Sequence, residues 1–235
     1  MGALPVRRRA RERSGVTEIQ PAPIKDKRWV KTRERLVRAG FDLVGRQGIG
    51  ALGVDEIVGL AGTAKQSFYN HFADRDAFLL ELRRQSREIF ETIVTRVNAS
   101  VESPAERLAQ GVSVHARMAL LDPLHARFFA NVAALTFTEE QALNVGLVAD
   151  LEAGRASGQF RFGSIEAAVT ITGAVTQVIV AHLLELEQDV LAVPMTQEML
   201  AMLMRGLGAP SDAADQTAAR MTNRVFLMDA ALLTG

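Results

Sequence analysis

Residues 53–82 read GVDEIVGLAGTAKQSFYNHFADRDAFLLEL, and this stretch decides the fold. A short helix is expected at about 54–60, followed by Ala61 and Gly62 and then by a polar and aromatic segment at 63–72. Two short helices joined by a tight glycine-containing turn form a helix-turn-helix, whose second helix enters a DNA major groove. The stretch therefore predicts a DNA-binding unit.

The segment at 63–72 has two different faces when it is placed on a helix. Ala64, Phe68 and Phe72 share one side, which predicts packing, while the polar side chains fan across the rest and are free to contact a partner. Thr63 followed three residues later by Gln66 fits the capping box that opens a helix. We therefore expect this second helix to begin at Thr63.

The charge of the chain is unevenly distributed. Its 235 residues carry no net formal charge, but residues 1–88 hold 18 Lys and Arg against 11 Asp and Glu, a net charge of +7, which the remaining residues cancel. Residues 1–26 are rich in arginine and show no helical period, so they are read as a flexible basic arm. This asymmetry indicates a polyanionic partner at the N-terminal end.

Several function classes are excluded or disfavoured by what the chain lacks. There is no cysteine, which excludes disulfides and thiolate metal sites. The four histidines show no metal-binding spacing, and no phosphate-binding loop, dinucleotide fingerprint or nucleophile motif is present, so we expect neither a cofactor nor an enzyme. Because no apolar signal segment follows the basic N-terminus, we expect a cytoplasmic protein.

Helical periodicity extends over the rest of the chain, and no segment shows strand alternation, which predicts an all-α fold. A basic amphipathic helix is expected at 29–46 and a long helix from about Asp76. Further helices are predicted at 104–120, 124–134, 139–155, 165–187, 195–206 and 211–232.

The uncharged stretch from Ala167 to Leu184 has two apolar seams, so one could face its own domain and the other a second subunit. The expected dimer interface is completed by methionines of the next helix and comprises Ala167, Ile171, Ala174, Val178, Ala181, Met195, Met199 and Met202. The central helix of a monomer is one alternative. A membrane span is the other, and the threonines and His182 within the stretch disfavour it.

Residues 30–82 resemble the DNA-binding domain of the TetR family of bacterial transcriptional repressors, in the short helix, the AG turn, the YNHF ending and the charged DRDAF that opens the next helix. The resemblance implies a three-helix DNA-binding domain at 27–82 and a ligand-binding and dimerisation domain at 83–235. It also places a set of side chains on DNA. Lys65, Gln66, Ser67 and Asn70 are expected at base edges, and Thr63, Tyr69, His71 and Arg75 at phosphates.

Two features affect contact with the DNA backbone. Gly53 stands where the family usually carries a Thr or Ser that touches phosphate, and Asp55 and Glu56 follow it. Acids that face DNA there would oppose phosphate. The arginines at 7–13 could offset this by entering a minor groove, or they could belong to a solubilising tail.

A small-molecule cavity is expected within the helical body. Its candidate residues are His115, Arg117, Met118, His125, Phe128, Phe129, Asn131 and Phe137, and ordinary core is the alternative for each.

The sequence thus predicts a homodimeric regulator that binds a near-palindromic double-stranded DNA operator and is released by a small-molecule effector. A ligand-independent DNA-binding protein is the main alternative. A helical carrier or enzyme is the other, and it would not need the basic N-terminus.

Overall fold

The computed structural model describes residues 27–132, 145–186 and 189–234, and in these residues it contains helices and no strand. The expected all-α fold, with an N-terminal helix-turn-helix domain and a helical body, is confirmed. The expected basic arm at 1–26 lies outside the described residues, as do Phe137 and the start of the helix expected at 139–155.

Eleven α-helices occur in the described residues. They are α1 (Lys27–Gln47), α2 (Val54–Ala61), α3 (Lys65–Tyr69), α4 (Arg75–Asn98), α5 (Pro104–Leu121), α6 (Pro123–Val132), α7 (Val145–Ala156), α8 (Ile165–Leu184), α9 (Ala192–Gly206), α10 (Ser211–Phe226) and α11 (Ala231–Thr234).

Local sequence explains where several of these helices begin. The Asp74 carboxylate accepts a hydrogen bond from the Ala77 N–H at 2.7 Å and caps α4. Ser103 caps α5 ahead of a proline at the first helical position, and Ser164 caps α8. Each of these side chains satisfies a backbone N–H that has no partner within its helix.

The prediction of a single helix over 211–232 is wrong about where that helix ends. The chain leaves the helix after Phe226, and a separate turn of helix, α11, follows. The Asp229 carboxylate accepts a hydrogen bond from the Ala231 N–H at 2.9 Å, so a local aspartate starts α11. This break lets Leu233 fold back, fully buried, against α4 and α5.

The N-terminal helices share an aromatic core. This core contains Phe41 of α1, Phe68 of α3, Phe72 from the segment between α3 and α4, and Phe78 of α4, all of them buried. Gly40 lies so close to the Phe78 ring that a side chain on the glycine would collide with it. Aromatic packing therefore brings α1, α3 and α4 together.

The body has a second core formed by α5, α7, α8, α9 and α10, with Leu151, Phe160, Ile179 and Leu200 almost fully buried. Helix α8 is the one helix in the described residues that is long and apolar enough to cross a bilayer. Of the residues in its most apolar 18-residue stretch, 44% are buried inside the protein. It packs against α5, α6, α7 and α9. Those contacts are typical of the central helix of a globular core.

Candidate DNA-binding surface and ligand cavity

The turn between α2 and α3 is set by Gly62, which adopts a left-handed conformation with φ of 58°. The Gly62 N–H donates to the Gly59 carbonyl, and the Thr63 N–H donates to the Val58 carbonyl at 3.0 Å. This pair of bonds is the Schellman closure of a helix, which favours glycine because no Cβ is present to clash. The backbone of Thr63 therefore completes α2.

The expected start of α3 at Thr63 is consequently wrong. Helix α3 runs over Lys65–Tyr69, its N-cap residue is the extended Ala64, and no side chain caps it. The capping box does not form because the Thr63 N–H is already bonded within the turn. The recognition helix is thus a single short turn that depends on its surroundings.

Aromatic side chains hold α3 in place. Phe68 is fully buried, with its ring 5.3 Å from that of Phe78 and 5.5 Å from that of Phe72. With this face fixed, the opposite face of α3 is exposed and presents Lys65, Gln66, Tyr69 and Asn70. The structure thus brings together the residues expected at base edges, with Ser67 partly buried beside them.

The exposed polar groups of α3 already have partners on the protein surface. Lys65 Nζ lies 2.9 Å from a carboxylate oxygen of Asp55, and the Gln66 amide donates to Asn70 Oδ1 at 3.2 Å. The hydrogen bond and charge of Asp55 raise the pKa of Lys65 above its ordinary value. Base contact would therefore require these side chains to exchange a protein partner for a base.

The residues expected at phosphates are placed differently from one another. Thr63 is half-buried in the turn, and Tyr69 is 48% exposed. His71 is half-buried, with its ring 4.4 Å from that of Trp29. Sequence reasoning missed this role for Trp29, which ties the start of α1 to the end of the recognition segment.

The Arg75 guanidinium donates hydrogen bonds to two backbone carbonyls of its own domain. Its Nε donates to the Leu52 carbonyl at 2.7 Å, and a terminal nitrogen donates to the Ile49 carbonyl at 2.9 Å. Both carbonyls lie in the loop before α2. Arg75 therefore fixes that segment to α4, and its expected contact with phosphate stays a prediction.

Arg35 has a related role that sequence reasoning missed. Its guanidinium donates to the carbonyls of Ala61 and Gly62, at the C-terminal end of α2. These carbonyls carry the negative end of the helix dipole, which an arginine stabilises. The turn before the recognition helix is thus held from α1.

Acidic groups occupy the start of α2. The Glu56 carboxylate lies over Gly53, in the space that a Cβ on this glycine would fill. Asp55, in the same first turn, makes the ion pair with Lys65. Gly53 stands at the position where the resembled family usually carries a Thr or Ser, and it offers no hydroxyl to phosphate.

The body contains a cavity of about 750 Å³, a size common for small-molecule sites. Helices α4, α5, α6, α7 and α8 all contribute to its wall. Its apolar lining includes Phe90, Val94, Val112, Phe128, Phe129, Val132 and Leu147, and its polar lining includes Arg83, Ser86, Arg87, Glu91, Asn98, Arg107, His115, Asp150, Thr172 and Thr176.

His115 is the polar group at the centre of the aromatic part of this cavity. Its ring stacks on that of Phe90, with 4.4 Å between centroids and 8° between planes, and it lies 5.0 Å from the ring of Phe129. Its Nδ1 lies 2.8 Å from the Gly111 carbonyl. Burial lowers the pKa of His115, so the neutral ring donates through Nδ1 and keeps Nε2 as an acceptor.

The charged groups of the cavity wall are not all balanced. Arg107 donates to Asp150 at 2.6 Å, and burial raises the pKa of this aspartate while the arginine opposes the rise. Burial also raises the pKa of Glu91, against the charge of nearby Arg87. Arg83 differs, because its Nε is shielded from solvent and has no hydrogen-bond partner in the described residues.

Three of the eight residues expected in the cavity line it, namely His115, Phe128 and Phe129. Arg117 lies elsewhere, with its guanidinium 5.5 Å from the ring of Phe226. Met118 packs in the core between α4, α5 and α11. Arg117 is two residues after His115 and therefore leaves α5 on nearly the opposite side, whereas Met118 is three residues after His115 and is buried in the core beside the cavity.

His125 and Asn131 contact the DNA-binding domain and not the cavity. The His125 ring lies 4.6 Å from that of Phe41, and its Nδ1 lies 2.6 Å from the Asp122 carboxylate. The hydrogen bond from His125 lowers the pKa of Asp122. The Asn131 amide donates to the Val44 carbonyl at 3.1 Å, at the end of α1.

Helix α6 therefore touches both functional regions. Phe128 is 1% exposed, packs in the aromatic core of the DNA-binding domain, and also lines the cavity. Its ring lies 4.7 Å from that of Phe41. A change in the cavity wall at Phe128 is thus a change in the core beneath α1.

The residues expected at a dimer interface form a surface seam on α8 and α9. Ile171 is 49% exposed, Val178 is 55% exposed and Met202 is 59% exposed. Ala167 and Ala181 are also exposed, whereas Ala174, Met195 and Met199 are half-buried. The opposite seam of α8, which includes Val169, Thr172, Thr176, Ile179 and Leu183, is buried.

Comparison with known proteins adds a family and a fold. Residues 36–82 match the family described as bacterial regulatory proteins, tetR family. The chain resembles the solved structure of RolR in complex with its ligand resorcinol, with 24% identity and a TM-score of 0.61 over 82% of this chain and 95% of RolR.

Two further structures are similar. An ArpA-like gamma-butyrolactone receptor shares 22% identity, with a TM-score of 0.57 over 84% of this chain and 99% of the receptor. The TetR family protein CprB from S. coelicolor A3(2) shares 19% identity, with a TM-score of 0.54 over 83% of this chain and 98% of CprB. At these identities the likeness shows a common fold. Comparison with curated protein sequences gives no match.

Proposed function

We propose that the chain, whose residues 36–82 match the tetR family of bacterial regulatory proteins, is a transcriptional repressor released from its operator by a small molecule. The observation that carries the proposal is the double role of Phe128, which packs under α1 and lines the cavity. Phe128, together with Val132 on the same helix, thereby joins a DNA-binding unit to a small-molecule site. Such a protein acts on DNA in the cytoplasm, and the proposal assigns it no catalysis.

We assign the exposed face of α3 to the bases of a major groove. Lysine donates to guanine O6 and N7, and the amides of Gln66 and Asn70 suit adenine N6 and N7. Ser67 lies beside them. We assign Thr63, Tyr69 and His71 to phosphate contacts. Arg75 acts indirectly, by fixing the loop before α2 through its bonds to carbonyls.

A homodimer is proposed through the exposed seam of α8 and α9. Exposed apolar side chains that recur along a helix face are typical of a subunit interface. Two-fold symmetry would place two recognition helices in successive major grooves, about 34–36 Å apart, on a near-palindromic operator. The proposed domain boundary at residue 82 lies within α4. The part of this helix before the boundary packs in the DNA-binding core, and the part after it lines the cavity.

Ligand response is proposed to pass through α6. A ligand that fits the cavity best when Phe128 is displaced would favour a different position of α1 and of the helices packed on it. The shift in operator affinity equals the ligand's differential affinity for the two arrangements. The resorcinol complex of RolR and the name of the gamma-butyrolactone receptor support a small-molecule effector, since both share the fold.

The first test is selection of genomic fragments on the purified protein at physiological salt, followed by sequencing of the retained fragments. A two-fold-symmetric site is expected, and Lys65→Ala should relax base preference within it. Retention of fragments without a shared site, even at low salt, would reduce the DNA binding to non-specific attraction and refute the operator proposal. A site that no small molecule releases would favour a ligand-independent DNA-binding protein.

The dimer is tested by placing a charge in the seam. Val178→Glu should convert the protein to monomers in sedimentation velocity and weaken operator binding, because a buried unpaired carboxylate opposes association. Leu80→Glu is the matched control, since Leu80 is also 55% exposed but lies on α4 in the DNA-binding domain. Equal oligomeric states for the two variants would refute the proposed interface.

A further inference from the structure

The cavity wall contains one arginine without a counter-ion. Arg83 makes no ion pair or hydrogen bond in the described residues, and its Nε is shielded from solvent. The cavity's other charges have neighbours of opposite sign: Arg107 pairs with Asp150, and Glu91 lies beside Arg87. Among the described lining residues one positive charge is therefore left over, at Arg83.

An unpaired and partly desolvated guanidinium is costly, and a partner anion removes much of that cost. A guanidinium also has a fixed planar fork of donors, which matches the two oxygens of a carboxylate. The surplus of one charge fits a single negative group. Arg83 is thus suited to bind a monoanionic carboxylate.

The remaining wall describes the rest of such a molecule. Arg83, Ser86 and Phe90 follow one another along the same face of α4, and seven residues of helix separate Arg83 from Phe90 by about 10 Å. Around Phe90 the wall is aromatic and aliphatic, with His115 stacked on it. This part accepts an apolar body of one or two rings, and His115 Nε2 can accept a hydrogen bond from a hydroxyl at its far end.

We infer that the effector is an organic carboxylate whose charged end is bound by Arg83 and whose apolar body lies against Phe90 and Phe129. The inference rests on the proposed ligand response, because it names the chemical class of the molecule that fills the same cavity. It makes Arg83 the residue that distinguishes an acid from a neutral molecule of equal shape.

The test compares matched probes on the purified full chain by calorimetry. Biphenyl-4-carboxylate and decanoate are paired with their neutral primary amides, and resorcinol serves as a small neutral probe. At least one carboxylate is expected to bind about tenfold or more tightly than its amide, because charge-assisted hydrogen bonds are stronger than neutral ones. In Arg83→Gln this preference should fall to about twofold or less, with amide binding retained.

Arg127→Gln is the matched control, since Arg127 also has no partner in the described residues but is exposed on α6 away from the cavity wall. It should keep the full preference for the acid. Thermal unfolding without probes supplies a second measurement: Arg83→Gln should unfold at an equal or higher temperature, because it removes an unpaired cation.

Three results would overturn the inference: no carboxylate binds, the amides or resorcinol bind as tightly as the acids, or Arg83→Gln keeps the preference. Selection of genomic fragments without probes tests the proposed function separately. A symmetric operator together with any of these three results would refute the carboxylate and leave the DNA-binding regulator in place.

Discussion

Helices α3 and α8 are stabilised in opposite ways. Helix α3 has five residues, no side-chain cap and one fully buried side chain, Phe68, whereas α8 has 20 residues, a serine cap and a fully formed buried seam. A helix as short as α3 is unstable by itself, so its position is supplied by neighbouring rings and by arginines bonded to nearby carbonyls. The recognition surface is therefore the part of the molecule most sensitive to distant contacts.

The largest expected effect is at the ring beneath α3. Phe68→Ala should lower the free energy of unfolding by about 3–5 kcal/mol, because it leaves a cavity in an aromatic core. Tyr69→Ala, at the adjacent and 48% exposed position, should cost less than about 1 kcal/mol. Urea unfolding followed by circular dichroism measures both. Similar losses for the two variants would mean that α3 does not depend on its buried face.

Glu81 of α4 links α4 to α1 in the DNA-binding domain, through a hydrogen bond from Arg33. Its carboxylate accepts hydrogen bonds from Arg84 at 2.9 Å, from Arg33 of α1 and from Gln85 at 2.6 Å. These bonds, with Arg84 first, lower the pKa of Glu81 to about 2. Glu81→Gln should therefore cost about 1–2 kcal/mol at pH 7, less than the full displacement implies because Arg84 is half exposed.

The pH dependence of that loss has a definite sign. A carboxyl with a lowered folded-state pKa stabilises the protein above its ordinary pKa of 4.5 and loses this contribution as the pH falls toward 2. Wild-type and Glu81→Gln unfolding free energies should therefore converge as the pH falls from 4.5 to about 2. A constant difference over that range would contradict the role assigned to the ionised carboxylate.

Substitution of Arg75 tests whether its hydrogen bonds to backbone carbonyls stabilise the DNA-binding domain. Arg75→Gln should cost about 1 kcal/mol, because the Leu52 and Ile49 carbonyls lose their donor while water partly replaces it. Arg46→Gln removes an exposed i,i+4 pair with Asp42 and should cost less than about 0.5 kcal/mol. Operator binding should weaken in Arg75→Gln only. A loss of affinity that is equal for all DNA sequences and comes without a loss of stability would mean that Arg75 contacts the DNA phosphates directly.

Asp55 tests the partner of the central recognition lysine. Asp55→Asn should leave unfolding unchanged and increase operator affinity roughly three- to tenfold, because Lys65 no longer exchanges an ion pair and one negative charge near phosphate is removed. Fluorescence anisotropy at several salt concentrations measures the change. An unchanged affinity would mean that the Asp55–Lys65 pair does not compete with DNA.

Helix α8 should give the smallest response. The Thr176 hydroxyl donates to the Thr172 carbonyl within the same helix, at 2.7 Å. Thr176→Val keeps the shape, and the carbonyl keeps its helical N–H partner, so the expected change is less than about 0.5 kcal/mol in thermal unfolding. A loss comparable to that of Phe68→Ala would remove the contrast between the two helices.

Sequence periodicity and turn chemistry were sufficient for most of the fold. The glycine turn, the buried face with Phe68 and Phe72, and the two seams of α8 all follow from residue spacing. The start of α3 was missed because the same Thr63 can cap a new helix or close the previous one. That choice depends on the hydrogen bond of Thr63 to Val58, which the spacing of side chains does not reveal.

The cavity was harder to predict because it is formed by five helices. Arg83, Ser86 and Phe90 recur on one face of α4, and this mixture of charge and aromatic residues was the available signal. We instead expected His115, Arg117 and His125 in the cavity, and of these three only His115 lines it. Arg75 and Arg35 were missed as supports of the loops around α2 because their partners are backbone carbonyls, which carry no residue identity.

The shared position of Phe128 sets a rule for redesign of the sensor. A library of variants that changes the whole cavity wall to bind a new effector would also change the packing of the DNA-binding core. Most of its members would then fail to regulate, whether or not they bind the new ligand. Varying positions of the wall on α4, α7 and α8, while Phe128 and Val132 are kept, separates the two demands. The wall of this cavity is thus divided into residues that tune chemical selectivity and two on α6 that transmit the signal.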